Sequence, residues 1–117
     1  MASKNKLRGN KWEYFIRDIL QAFHIKRIIT TREGSRALDA LKQDLMYEDG
    51  TSLKYPPQCK SSQSFSFKWV DELVPNGIVF WKRMKMKEKK QICIGKYVIM
   101  DLKTYLKLTE SKDDNNV

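Results

Sequence analysis

The sequence is poor in the residues that most often announce a function. It has one histidine, His24, and two cysteines, Cys59 and Cys93. A zinc site would have to combine these three with carboxylates at no recognisable ligand spacing, so zinc chemistry is set aside. Two cysteines make no disulfide framework, and a reducing, cytosol-like (cytoplasmic) compartment is expected. No apolar run approaches the roughly 20 residues of a membrane span. The basic residues at the N-terminus are followed by no apolar stretch, so no signal peptide is expected. There is no internal repeat. Acidic residues are also scarce relative to basic ones: 14 against 23, a formal net charge of +9 and a pI near 9.6. In a chain of 117 residues, 41% hydrophobic, this describes one globular domain with a modest core and a surface suited to a polyanion.

Residues 1–8 carry Lys4, Lys6 and Arg8 without an acid and read as a flexible basic arm. From Gly9 or Asn10 the apolar positions Trp12, Phe15, Ile16, Ile19, Leu20 and Phe23 recur at steps of three and four. They predict a helix over about 10–24, with His24 as a cap at its C-terminal end. Residues 25–31 are rich in β-branched side chains and read as a strand. A loop follows at 32–36. Residues 44–47 form a short strand, the Asp49-Gly50 pair a hairpin turn, and residues 53–60 the returning strand. Pro56 and Pro57 cannot donate to a ladder, so pairing should begin late there. A short helix is expected within 65–74 and a buried strand at 78–81. A basic connector should occupy 82–90, and strand segments broken at Gly95 should follow. Asp101 caps a last helix, and the tail from Ser111 reads as disordered. The three tryptophans, Trp12, Trp69 and Trp81, fall in apolar patterns and belong to the core. The expected fold class is α/β, a mixed central sheet flanked by helices.

One constellation carries chemistry. Hydrolysis of a phosphodiester calls for divalent metal, hard cations take oxygen ligands, and a nearby lysine can orient water or offset developing charge. Asp44 opens one strand. Gln58 and Lys60 are two apart on the next and therefore share a face, with Cys59 turned to the core. Glu13 lies near the start of the first helix, and Asp39 precedes Asp44 by five residues.

Four segments, Arg8-Gly9-Asn10-Lys11-Trp12-Glu13, Arg32-Glu33-Gly34-Ser35-Arg36-Ala37-Leu38-Asp39, Gln43-Asp44-Leu45-Met46 and Pro57-Gln58-Cys59-Lys60, occur in an order that resembles the PD-(D/E)XK nuclease superfamily. Within it they resemble the small Holliday junction resolvase-like proteins of archaeal and phage type. The resemblance covers residues 8–62; beyond them only the element order agrees. It implies a restriction-endonuclease-like core and a Mg²⁺-dependent endonuclease, with Mn²⁺ as substitute, that cuts branched DNA. It also implies Glu13, Asp44 and Gln58 as metal ligands and Lys60 as the catalytic lysine. Asp39 competes with Asp44 for the central aspartate; Asp44 is preferred because it opens a hydrophobic strand, and Asp39 is kept as a further ligand. Gln58 departs from the family, which has Glu or Asp there; an amide oxygen binds cations less strongly than a carboxylate. DNA backbones would be held by Lys4, Lys6, Arg8, Lys11, Arg32, Ser35, Arg36, Lys82, Arg83, Lys85 and Lys87. Cutting two opposed strands of a junction implies a homodimer. The alternatives are a restriction- or repair-type nuclease, or a nucleic-acid-binding module of the same fold that has lost activity.

Overall fold

A computed structural model describes the backbone of residues 4–114 and the side chains of residues 10–110. The first helix, α1, spans Lys4–Gln21. It therefore takes in most of the stretch read as an arm and ends three residues earlier than expected. The side chains of Lys4, Lys6 and Arg8 lie outside the described residues. Trp12 and Ile16, one turn apart, are buried, and they pack with Ile28, Leu45 and Leu53 to make the core. At the helix end the Gln21 side chain replaces a further turn. Its amide donates to the carbonyls of His24 and Lys26, and its oxygen accepts from the Ile28 N–H. His24 accordingly sits in the turn after α1, where its Nδ1 is 2.8 Å from the Tyr47 hydroxyl.

Strand β1 (Ile28–Thr30) is followed by two short helices, α2 (Thr31–Gly34) and α3 (Arg36–Ala40), in place of the loop expected at 32–36. Ser35, expected as a DNA contact, is the N-cap of α3, its hydroxyl accepting from the Leu38 N–H at 3.3 Å. Strand β2 (Leu45–Tyr47) pairs with β1 in antiparallel fashion. The Asp49-Gly50 turn forms, with Gly50 at φ 95°, where a side chain would be strained.

The chain does not return along β2 as a hairpin. Strand β3 (Pro57–Ser62) runs parallel to β4 (Ile78–Lys87), which pairs antiparallel with β5 (Lys90–Ile99). The two prolines explain the change of partner. Lacking N–H groups, they serve only as acceptors: Asp44 N–H donates to the Pro57 carbonyl at 2.9 Å and Ile78 N–H to the Pro56 carbonyl at 3.0 Å. This stretch can thus join β2 to the main sheet at one point but cannot sustain a ladder with it.

The stretch expected as a basic connector is the outer half of a β-hairpin. Glu88 and Lys89, both at positive φ (49° and 66°), form its two-residue turn. Such turns are usually announced by Asn or Gly, and neither is present. Within β4 only Met84 of the outer half is buried. Arg83 stands opposite Gly95 and Met84 opposite Cys93, so Ile94 is the extra residue of a bulge in a continuous strand. A β-carbon at Gly95 would lie 2.5 Å from the Tyr97 ring, so a side chain there would displace that ring.

The result is an α/β domain in which a three-stranded mixed sheet is flanked by helices. On one face Cys59 and Phe80 pack against the core under α1, and Trp12 Nε1 donates to the Phe80 carbonyl at 2.8 Å. On the other, Trp81, paired with Tyr97 across β4 and β5, meets Phe65 and Trp69 of the segment carrying α4 (Lys68–Asp71). Trp12 and Trp69 are core as expected; Trp81 is half-buried. The last helix, α5, spans Leu102–Asp114. Asp101 caps it, accepting from Thr104 N–H at 2.8 Å. Helix therefore replaces the beginning of the expected disordered tail, and residues 115–117 lie outside the described residues. No described helix is long and apolar enough to cross a membrane.

Candidate functional site

Glu13 is carried on the side of α1 next to the buried Trp12–Ile16 stripe, because successive helical residues are about 100° apart. It is only 8% exposed. Burial, with the negative charge of Asp44, pushes its carboxyl from the usual 4.5 up to about 7, against the pull of Arg32 and with a smaller push from Asp39. Arg32, expected as a DNA contact, instead has its guanidinium 3.1 Å from Glu13 Oε2. The two form an ion pair, and Arg32 holds the carboxyl below where burial and Asp44 would put it.

Asp44 stands at the entrance of β2, fixed by three bonds. Its N–H donates to Pro57, its carbonyl accepts from Thr31 N–H at 3.0 Å, and its Oδ2 accepts from Cys59 N–H at 2.5 Å. Two elements far apart in sequence are thereby tied to one carboxylate. Burial raises the Asp44 carboxyl; the Cys59 N–H bond and the charge of Lys60 lower it in part, and Asp39 raises it. Asp39 is exposed on α3 and accepts from the Thr31 hydroxyl at 3.2 Å. It thus contributes charge at the rim of the cluster. Thr31, which has no signal in the sequence beyond ending an apolar run, is the residue that orders both aspartates.

On β3, Gln58 stands beside Val79 and Lys60 beside Trp81, so the two share a sheet face, while Cys59 stands beside Phe80. Cys59 packs in the core as expected. Its thiol also feels the acids: burial, then Asp44 and Glu13, push it well above its ordinary value, with Lys60 opposing. It is therefore a protonated, unreactive thiol. Lys60 is half-buried and its charge acts on Asp44. Gln58 is 2% exposed, and its Oε1 is buried without a partner.

Among the described residues the side-chain oxygens Thr30 Oγ1, Gln43 Oε1 and Gln58 Oε1 are buried without a partner, which is costly for an acceptor; Glu13 Oε2, also buried, faces the Arg32 guanidinium. Among the described residues no three His, Cys, Asp or Glu side chains are arranged to hold a metal ion. Two carboxylates, Glu13 and Asp44, are brought together; Gln58, expected as a further ligand, lies on the sheet face opposite the one that packs under α1.

The remaining basic residues spread over the surface. Arg36 is exposed at the start of α3; along β4 Arg83, Lys85 and Lys87 are two apart and share one face, with Lys82 on the other. Lys11 lies on α1 on the other side of Trp12 from Glu13. An apolar groove of about 520 Å³ lies away from the cluster, between residues 70–76 and α5. Its one acid, Asp101, is occupied as the helix cap. No family model matches the chain, and neither a curated protein nor a solved structure matches it.

Proposed function

We propose that the chain is a metal-dependent DNA endonuclease, acting on branched DNA in the manner of a Holliday junction resolvase. One observation carries the reading: the buried carboxyls of Glu13 and Asp44 are brought together, each raised, with the charge of Lys60 acting on Asp44. Glu13 and Asp44 would hold Mg²⁺ or Mn²⁺. The ion, when bound, supplies charge neutralisation at the phosphate and activation of water. Glu13 has to give up its proton for this, and its raised carboxyl makes the site sensitive to pH near neutrality. Asp44 is held in one orientation by Cys59 N–H. Lys60 offsets negative charge developing at the phosphate. Arg32 balances Glu13 in the absence of other cations and is released towards phosphate when Glu13 has another partner. A homodimer would supply the two cuts. Exposed apolar residues on β5 and α5, among them Ile94, Val98, Leu102 and Tyr105, offer it surface.

The test incubates the protein with a four-way junction, a linear duplex and a single strand, with and without Mg²⁺ or Mn²⁺. Metal-dependent cutting preferring the junction is expected, lost in Lys60→Ala and Asp44→Asn while binding is kept. Cutting without junction preference points to a restriction- or repair-type nuclease. Binding without any cutting favours the second reading, a nucleic-acid-binding module, for which Gln58 and the count of only two fitting carboxylates speak.

A further inference from the structure

A second feature lies on the opposite shoulder of α1. Glu13 is displaced about 100° from Trp12 in one direction around the helix, and Lys11 by the same angle in the other. On the Lys11 side a cleft of about 150 Å³ is lined by Lys11, Trp12, Phe15, Lys82 and Lys96. Three distant parts of the sequence thus place three ammonium-bearing side chains around one small space.

Lys82 and Lys96 are register partners on β4 and β5. Like charges directly opposite one another destabilise a sheet, so the pairing is a cost. None of the three lysines forms an ion pair among the described residues. The aromatic rings position the two cross-strand cations: Lys96 Nζ is 4.7 Å from the centre of the Phe15 ring and Lys82 Nζ 6.0 Å from that of Trp12. The rings hold ammonium groups by their negative faces but do not neutralise them. Positive charge is therefore concentrated on a helix and two paired strands, with no ion-pair partner among the described residues.

We propose that this cleft is a subsite for a backbone phosphate of DNA, held by Lys11, Lys82 and Lys96. The assignment rests on the DNA-acting reading and adds a specific contact to it. The cleft and Glu13 lie on opposite shoulders of α1, a helix about 10 Å across, so one strand crossing α1 can reach both. Phosphate contacts set register and read no sequence. The subsite's role is to fix how far the strand is advanced across α1.

The experiment measures affinity for a four-way junction and a duplex as a function of salt, in EDTA so that no cutting intervenes. The full chain is compared with Lys82→Gln/Lys96→Gln and with Lys54→Gln/Lys103→Gln, which removes the same charge elsewhere. The cleft variant is expected to lower the slope of log K against log salt by about 1 on both DNAs, and the control to leave it in place. Its melting temperature should be kept or raised, because a like-charge pair is relieved. Lys96→Gln alone, on an exposed side chain, serves if the double variant folds poorly, and should lower the slope in the same direction. An unchanged slope, or an equal change in the control, overturns the assignment. So does inorganic phosphate binding that depends on the two lysines while the DNA slope does not. Because nothing here requires cutting, a lowered slope in a protein that never cleaves sinks the nuclease reading and leaves the subsite standing.

Discussion

Replacing Glu13 by glutamine should stabilise the metal-free protein above neutral pH. The wild-type carboxyl is pushed from 4.5 to about 7, chiefly by burial and next by the charge of Asp44. The folded state therefore holds this proton more tightly than the unfolded chain. Below about pH 4.5 the group is protonated in both states and its favourable contribution is complete. That contribution is lost as pH rises through the window and is gone above about 7. A rise of this size corresponds to about 3 kcal/mol at about 1.4 kcal/mol per pH unit, with the opposing effect of Arg32 already included. This is a large share of a typical total stability of about 5–15 kcal/mol. Glutamine keeps the shape and never ionises. Urea unfolding in EDTA at pH 4, 6 and 8 should show the two proteins converging at pH 4. At pH 8 the variant should be ahead by about 3 kcal/mol, or roughly 10 °C in melting temperature. Asp44, also raised, tilts both curves alike. If Glu13→Gln is the less stable protein at pH 8, the Glu13–Arg32 contact is a net stabiliser and the argument from burial is wrong. Under the proposed function, millimolar Mg²⁺ should raise the wild-type melting temperature at pH 8 and leave that of the variant where it was.

Gln58→Leu removes a buried oxygen without a partner and should add about 1–2 kcal/mol of stability; a loss of stability in urea would show that the oxygen is satisfied. Gln58→Glu should do the opposite, lowering metal-free stability in the same measurement. Trp12→Phe deletes the bond to the Phe80 carbonyl in the core and should cost about 2 kcal/mol; a change in urea midpoint near zero would show that α1 does not depend on this bond.

Local pattern carried a good part of the architecture. The Trp12–Ile16 stripe, the Asp101 cap and the Asp-Gly turn are signals within a few residues of one another, and the corresponding features form. The errors have a common origin in partners that local pattern cannot name. The hairpin expected between residues 44–47 and 53–60 failed because the prolines accept from two different strands. The hairpin hidden at 82–96 was missed because its outer half is solvated and its turn is Glu88-Lys89. Of the site, Glu13, Asp44, Gln58 and Lys60 were legible as residue types at suitable spacings. That Arg32 faces Glu13, that Thr31 orders both aspartates, and that Cys59 lends its N–H to Asp44 were not.

Composition and spacing alone determined that this chain is a basic α/β domain, carrying acids and a lysine on neighbouring elements, since net charge and periodicity are properties of the chain itself. Only the tertiary structure decided which acids are buried together, and hence that Glu13 holds its proton near neutral pH. It also decided that Lys11, Lys82 and Lys96 share one cleft. Desolvation and the summing of charges depend on distance in space, and residues 13 and 44, or 11, 82 and 96, become neighbours only when α1 closes over the sheet.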